Sequence, residues 1–265
     1  METWRLIPLI HGAGHRQMAI DRWLLEQHRL GVHPPTLRFY TWSPVALSLG
    51  YHQRRYPDAW NCLQWSSDAG SAPVPAPPIA LVRRPSGGRA VLHQGDLTYA
   101  IITSGLSGSR LQAYRTLCEF LIQGWRALGV ELDYGQARRG YIHNPNCFGT
   151  ATIADLVTAD GAKLIGSAQL RYDSAILQHG SMRLEPDAHL FKQVFEADLH
   201  MPRLNLSLTG EALRDAVMQA LIDAAIAQFQ INLVEQPLTP SEWQQIDQTN
   251  PTFLWRNQDL FSNAH

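Results

Sequence analysis

The stretch Arg83-Arg84-Pro85-Ser86-Gly87-Gly88-Arg89-Ala90-Val91-Leu92-His93 organises the reading of this chain. The apolar run Ile79 to Val82 before it has the composition of a buried strand, and so does Leu97 to Ile102 after Asp96. Two adjacent glycines between strands let the backbone take positive φ, or let something approach the main chain closely. A ligand lying flat on the backbone and a plain Ser-Gly-Gly hairpin turn both satisfy that chemistry. The flanking pattern and a second stretch further on favour the ligand.

On the N-terminal side, Trp4 to Ile10 reads as a strand and His11 to His15 as a glycine-rich turn. Gln17 to Arg29 follows as a helix, with Met18, Ile20, Trp23, Leu24 and Leu25 on its apolar side and Gly31 as its stop. Thr36 to Trp42 alternates as a strand does, and Val45 to Leu49 gives another. Residues 66–78 are rich in Ser, Ala and Pro and read as a surface loop rather than a linker. His11 and His15 lack a cysteine or acidic partner that would complete a metal site, so no metal is expected.

On the C-terminal side, Leu111 to Leu128 carries the clearest helical period, with Gly129 as its C′ residue. Cys118 lies on that apolar stripe and reads as a core residue. A short strand is expected over Val130 to Leu132, and a polar loop over Gln136 to Asn146. Ile153 to Val157 and Lys163 to Gln169 read as strands around a turn at Asp160-Gly161, and Arg171 to Gln178 continues the alternation. His179 falls in what reads as a Gln-His-Gly-Ser turn. Pro186 to Phe195 and Glu211 to Phe229 read as helices, and Ser241 to Gln244 has the spacing of a capping box opening a last one. Strands and helices mix without strict βα alternation, which argues for a mixed sheet flanked by helices, an α+β fold.

A chain of 265 residues is long enough to bury a sizeable core, and it reads as one domain over residues 1–265. Its net charge of -1 gives no electrostatic footprint for nucleic acid. Three scattered cysteines do not form a disulfide framework and fit a reducing compartment. With no secretory h-region and no run of about 18 apolar residues, the expectation is a cytoplasmic protein with no membrane partner.

The glycine-bearing stretch resembles the signature of the lipoate–protein ligase and octanoyltransferase superfamily, which also contains the biotin–protein ligases. Cys147-Phe148, then Gly161 to Gln169, then Leu177-Gln178-His179-Gly180-Ser181 resemble its cysteine-dependent octanoyltransferase branch. Weaker similarities lie in Gln17 to Asp21 and in Trp42-Ser43-Pro44 leading to Ser48-Leu49-Gly50 and Gln53. The resemblance implies the superfamily's catalytic-domain fold, a mixed and mostly antiparallel sheet flanked by helices. It also implies an acyl site formed by Arg84, Ser86, Gly87, Gly88, His93, Gly166, Ser167 and Ala168.

Read alone, Cys147 is either a nucleophile in a polar loop or an inert thiol, and Lys163 is either its activating cation or a solvated turn lysine. The resemblance places both in the acyl site as catalytic residues. It implies a two-step transfer of octanoyl from acyl carrier protein to the lysine of a lipoyl domain or of the glycine-cleavage H protein. An activated thioester donor makes a cofactor unnecessary. His93 is the first candidate base, ahead of His179. Arg83, Arg84, Arg89 and Arg171 are candidates for contacting acidic carrier proteins.

Three rivals remain open from the residues. One is an ATP- and Mg²⁺-dependent lipoate–protein ligase, and another an amidotransferase acting between lipoyl domains. The third is a non-catalytic binder of acylated carriers. Arg89 stands where such ligases carry a third glycine, and Gln94 where the superfamily usually has an aspartate, with Asp96 two residues later. No room is expected for the ligases' C-terminal accessory domain.

Overall fold

The computed structural model describes residues 1–64, 78–135, 155–202 and 204–249. The chain opens with a βαβ unit: β1 (Thr3–Gly12), α1 (Gly14–Arg29) and β2 (Thr36–Trp42), with β1 and β2 parallel. The expected turn at 11–15 shrinks to Ala13. Gly12 pairs with Trp42, and the Ala13 carbonyl already accepts from the Arg16 and Gln17 amides. A side chain at Gly14 would lie 2.8 Å from the Trp42 ring, so the helix starts against that indole.

Next come β3 (Ala46–Leu49), a 3-10 turn (Asp58–Cys62), β4 (Ala80–Arg83), β5 (Val91–His93) and β6 (Asp96–Thr103). β4 and β5 do not pair with each other. Both pair with β3, β4 in parallel and β5 antiparallel, in a small sheet of order β4–β3–β5. The Ser86-Gly87-Gly88 segment is therefore a crossover past β3 rather than a hairpin turn. Gly88 has φ +94°, and a Cβ on Gly50 would fall 1.9 Å from its carbonyl oxygen. Here a close backbone approach and a positive φ both call for glycine.

The remaining elements are α2 (Arg110–Ala127), β7 (Leu132–Tyr134), β8 (Asp155–Thr158), β9 (Lys163–Tyr172), β10 (Ala175–Arg183), α3 (Ala188–Phe195), α4 (Gly210–Phe229), β11 (Asn232–Glu235) and α5 (Pro240–Thr249). The main sheet runs β11–β1–β2–β6–β10–β9–β8–β7 among the described residues. The two pairings that involve β1 are parallel and the rest antiparallel. This is the expected α+β architecture.

β6 is buried along its whole length, and its side chains divide two cores. Leu97, Tyr99 and Ile101 pack with α2 and α4 on one face, and Ala100 and Ile102 with α1 and α5 on the other. The small sheet packs its outer face, Leu47, Leu49 and Leu92, on α3. A Cβ on Gly124 would meet Leu221 at 2.7 Å, so α2 and α4 touch at close range.

Two local readings differ from the structure. His179 is not in a turn but in the middle of β10, hydrogen-bonded on one side to β6 and on the other to β9. Of its polar neighbours, which suggested a turn, Ser181 borders a cavity and Gln178 is buried against Tyr99 and Cys118. The last helix is capped two residues earlier than Ser241. The Glu242 amide donates to Thr239 Oγ1 at 3.3 Å and the Thr239 amide to Glu242 Oε2 at 2.6 Å, with Pro240 at the first helical position. Pro78, bridged to Gln64, is the described end of the 66–78 loop. The rest of that loop, the 136–146 loop, Cys147 and Phe148 lie outside the described residues. No described helix is long and apolar enough to cross a membrane.

Candidate active site

Between the small sheet and the main sheet lies a cavity of about 230 Å³. Met18, Tyr40 and Trp42 form an aromatic and thioether wall, and Ser48, Arg84, Gly87, Gly88, Val91 and His93 form the small-sheet wall. Gly166 to Gln169 of β9 and His179 to Ser181 of β10 supply the main-sheet side, with Tyr114 and Asp155 beyond. Seven of the eight residues expected at an acyl site thus border one space: Arg84, Gly87, Gly88, His93, Gly166, Ser167 and Ala168. The eighth, Ser86, is buried behind the wall, with its Oγ 2.5 Å from His179 Nε2.

Arg84 is a fastener. Its guanidinium donates to the carbonyls of Ser48 (3.0 Å), Gly87 (2.8 Å) and Arg89 (2.6 Å), which ties the crossover to β3. Arg83 likewise donates to the Gly50, Tyr51 and Gln53 carbonyls. The guanidinium donors of these two arginines go chiefly to backbone carbonyls, with Arg84 Nη1 also reaching Ser48 Oγ at 3.2 Å. Arg171 is half-buried, with its Nε donating to Gln169 Oε1 at 3.0 Å.

His93 stands on the cavity wall with both ring nitrogens engaged. Nδ1 lies 2.8 Å from Asp96 Oδ2, and Nε2 lies 2.8 Å from Ser48 Oγ. Trp42 stacks on the imidazole at 3.7 Å and donates its own N–H to Thr98 Oγ1 at 2.8 Å. Burial pushes the His93 pKa below its ordinary value despite the Asp96 carboxylate, so the ring is neutral near pH 7. Asp96 also accepts from the hydroxyls of Ser181 (2.6 Å) and Thr98 (3.2 Å).

His179 belongs to a second buried network. Its Nδ1 lies 2.8 Å from Asp21 Oδ2, which also accepts from Tyr40 Oη at 2.9 Å, while Arg38 donates to Oδ1 at 2.9 Å. Arg38 is fully buried and touches Gln17 as well. This network joins α1, β2 and β10, and through Ser86 it reaches the glycine crossover.

Lys163, the first residue of β9, is buried, and its Nζ lies 2.7 Å from Asp155 Oδ1. Asp155 borders the cavity, so the pair sits at the cavity margin. Arg183 donates to the Lys163 carbonyl. Cys147, the expected nucleophile, lies outside the described residues. Cys118 is buried as expected, hydrogen-bonded from Gln178 Nε2 at 3.3 Å, and burial pushes its thiol up to about 12. Such a thiol is an inert core group. Among the described residues no cluster of His, Cys, Asp or Glu is arranged to hold a metal ion.

Asp155 and the Tyr99–Ser167 bond were not singled out from the sequence, and Ser48, Asp21 and Gly180 entered only as members of family-like stretches, without a role. Asp21 had one available signal: with Gln17 it puts two polar groups at i and i+4 within the apolar side of a helix. The crowding around Gly180 had none, because it depends on two neighbouring strands.

The profile of the lipoyl protein ligase A/B catalytic domain matches residues 13–230. The octanoyltransferase LipM of Kyrpidia tusciae is 34% identical over 250 residues, covering 90% of this chain and 85% of that protein. The LipM of Lysinibacillus sphaericus is 33% identical, covering 90% and 82%. Among solved structures, the T. acidophilum protein Ta0514 with bound lipoic acid superposes with a TM-score of 0.71. It is 23% identical and the match covers 95% of this chain and 96% of that one; at that identity the likeness is one of fold. The glycine crossover, the cavity it closes and the long match to these relatives agree, and the chain belongs to the lipoyl protein ligase A/B catalytic domain family.

Proposed function

We propose that this chain transfers an octanoyl group from octanoyl-acyl carrier protein to the ε-amine of a lysine through a thioester on Cys147. The acceptor is a lipoyl domain or the glycine-cleavage H protein. The observation that carries the reading is the convergence of Gly87-Gly88 and Gly166 to Ala168 on one cavity with the buried Lys163–Asp155 pair at its margin. The coarser activity, octanoyl transfer in protein lipoylation, is that of the relatives described above.

In the first step the Cys147 thiolate adds to the donor carbonyl, the donor C–S bond breaks and the carrier thiol leaves. In the second, the acceptor amine displaces Cys147 and an amide forms. A thioester is already activated, so no ATP is consumed and no cofactor is needed. The Lys163 ammonium is fixed by Asp155 and polarises the acyl carbonyl, where negative charge develops. The apolar wall of Met18, Tyr40 and Trp42 takes the hydrocarbon chain. We read the reaction as cytoplasmic, the setting that three scattered cysteines without a disulfide framework fit.

Intact mass after mixing the protein with octanoyl-acyl carrier protein, without ATP, tests this. The expected result is a gain of about 126 Da, one octanoyl group, labile to hydroxylamine and absent in Cys147→Ser. Lys163→Ala should slow transfer by about two orders of magnitude or more. An unchanged adduct in Cys147→Ser would falsify the thioester. Octanoylation that needs octanoate and Mg-ATP instead would move the assignment to a ligase.

A further inference from the structure

Ser48, His93 and Asp96 form a relay that the transfer just described does not use. We propose that Ser48 is a second acyl-accepting nucleophile, activated by His93 and Asp96, and that through it the chain slowly hydrolyses octanoyl thioesters. The acyl class rests on the reading above; the nucleophile does not, since it is independent of Cys147.

Hydrogen-bond direction carries the argument. Asp96 Oδ2 accepts from the Ser181 and Thr98 hydroxyls, and it accepts from His93 Nδ1 as well. With the proton on Nδ1, the Nε2 lone pair faces Ser48 Oγ at 2.8 Å. Arg84 Nη1 donates to that same oxygen at 3.2 Å, leaving the hydroxyl hydrogen for His93. A guanidinium beside the oxygen also favours its alkoxide character. Trp42, stacked at 3.7 Å, holds the imidazole in this plane. Ser48 and His93 both border the cavity, so an acyl carbonyl lodged there can reach the oxygen.

The fold contains the same order of groups a second time, in Ser86, His179 and Asp21. There Ser86 is behind the cavity wall, and Asp21 is shared with Arg38 and Tyr40. That triplet locks the crossover to the main sheet, and its histidine borders the cavity while its serine does not. What separates the two is access.

The chemistry balances with water alone. Ser48 Oγ adds to the thioester carbonyl and its proton passes to His93 Nε2. The C–S bond breaks, and the departing thiolate takes the proton from Nε2. Water then adds to the Ser48 ester, giving its proton to Nε2. The C–O bond breaks, the proton returns to Ser48, and octanoate leaves.

The test uses the full chain carrying Cys147→Ala, with octanoyl-pantetheine as probe. Free thiol and octanoate are followed, and an acid-quenched sample is mapped by peptide mass. Thiol release about a hundredfold above buffer is expected, with a gain of about 126 Da on the peptide containing Ser48. Both should vanish when Ser48→Ala is added. Release at the buffer rate, or an adduct mapped to any other residue, overturns the proposal. The mapping is done without altering Ser48, so it decides even if Ser48→Ala fails to fold. Lipoyl-domain octanoylation is measured in parallel. If it persists in Cys147→Ala, the Cys147 thioester fails, and the Ser48 proposal is still judged on its own peptide.

Discussion

A methyl group at position 180 would lie 2.4 Å from Ser167 Oγ, 2.7 Å from Tyr99 Cε1 and 2.9 Å from the Gly166 carbonyl. That space is already used by the bond between Tyr99 Oη and Ser167 Oγ, at 2.8 Å. Gly180→Ala must therefore push β9 from β10 or break that bond. A destabilisation of about 2 kcal/mol is expected, as for other overpacked cores, together with a fall in octanoyl transfer. Chemical denaturation monitored by fluorescence measures the first. A variant as stable as the parent would show that the strands yield without cost. The sequence shows Gly180 within a family-like stretch but not this crowding, which comes from residues 81 and 13 places away. For Asp21 the polar spacing with Gln17 is visible in the sequence, but its partner His179, 158 residues distant, is not. Gly87 and Gly88 were legible because their chemistry is local: adjacent glycines between two strands, with a positive φ at Gly88.

At the scale of elements, helices and strands with a strong period were found within a few residues, and the errors have specific causes. β10 was cut short at Gln178 because Gln178, His179 and Ser181 are polar, and polar residues in a central strand look like a turn. They are tolerated there because buried partners satisfy them: Tyr99 and Cys118 for Gln178, Asp21 and Ser86 for His179, and Asp96 for Ser181. The start of α5 was misplaced because Ser241 competes with Thr239 as a cap, and Glu242 decides in favour of Thr239. Glu242 also anchors α5 to β1 through two bonds to Arg5, at 2.7 and 2.9 Å. Burial alone would raise the Glu242 carboxyl, but the Arg5 guanidinium and the Thr239 amide hold it at about 2. A folded pKa below the unfolded one adds stability that is present above the unfolded value and lost as pH falls through the folded one. Glu242→Gln should thus cost about 3 kcal/mol near neutral pH, since it leaves Arg5 buried without its charge partner. The gap between the two proteins should close between pH 4.5 and 2. Thermal unfolding of both across that range checks it, and a gap that widens on acidification would contradict the assignment.

For the whole molecule, the α+β class was legible from the mixture of elements, and the sheet order was not. Nothing local says that the crossover passes over β3, or that β6, next in sequence, belongs to the other sheet. That arrangement makes the cavity a seam between two sheets, with one rigid side. β10 is bonded along both flanks, whereas β4, β5, β7 and β11 lie at sheet edges among the described residues. In hydrogen exchange, the amides of Leu177 to Met182 should open only with global unfolding, and those of the edge strands and of Gly87-Gly88 should exchange first. Peptide-resolved mass spectrometry measures this. Early exchange in β10 would mean that the cavity floor moves independently of the core.

β1 takes its outer partner from the far end of the chain, with Thr3 opposite Asn232 and Leu6 opposite Glu235. On a ribosome, the first βαβ unit can form as soon as residue 42 has emerged, but β11 follows almost two hundred residues later. At ordinary elongation rates, one flank of β1 stays open for on the order of tens of seconds. An open flank of this kind invites pairing with another nascent chain. The burden on chaperones therefore falls during synthesis, and it lifts when β11 arrives.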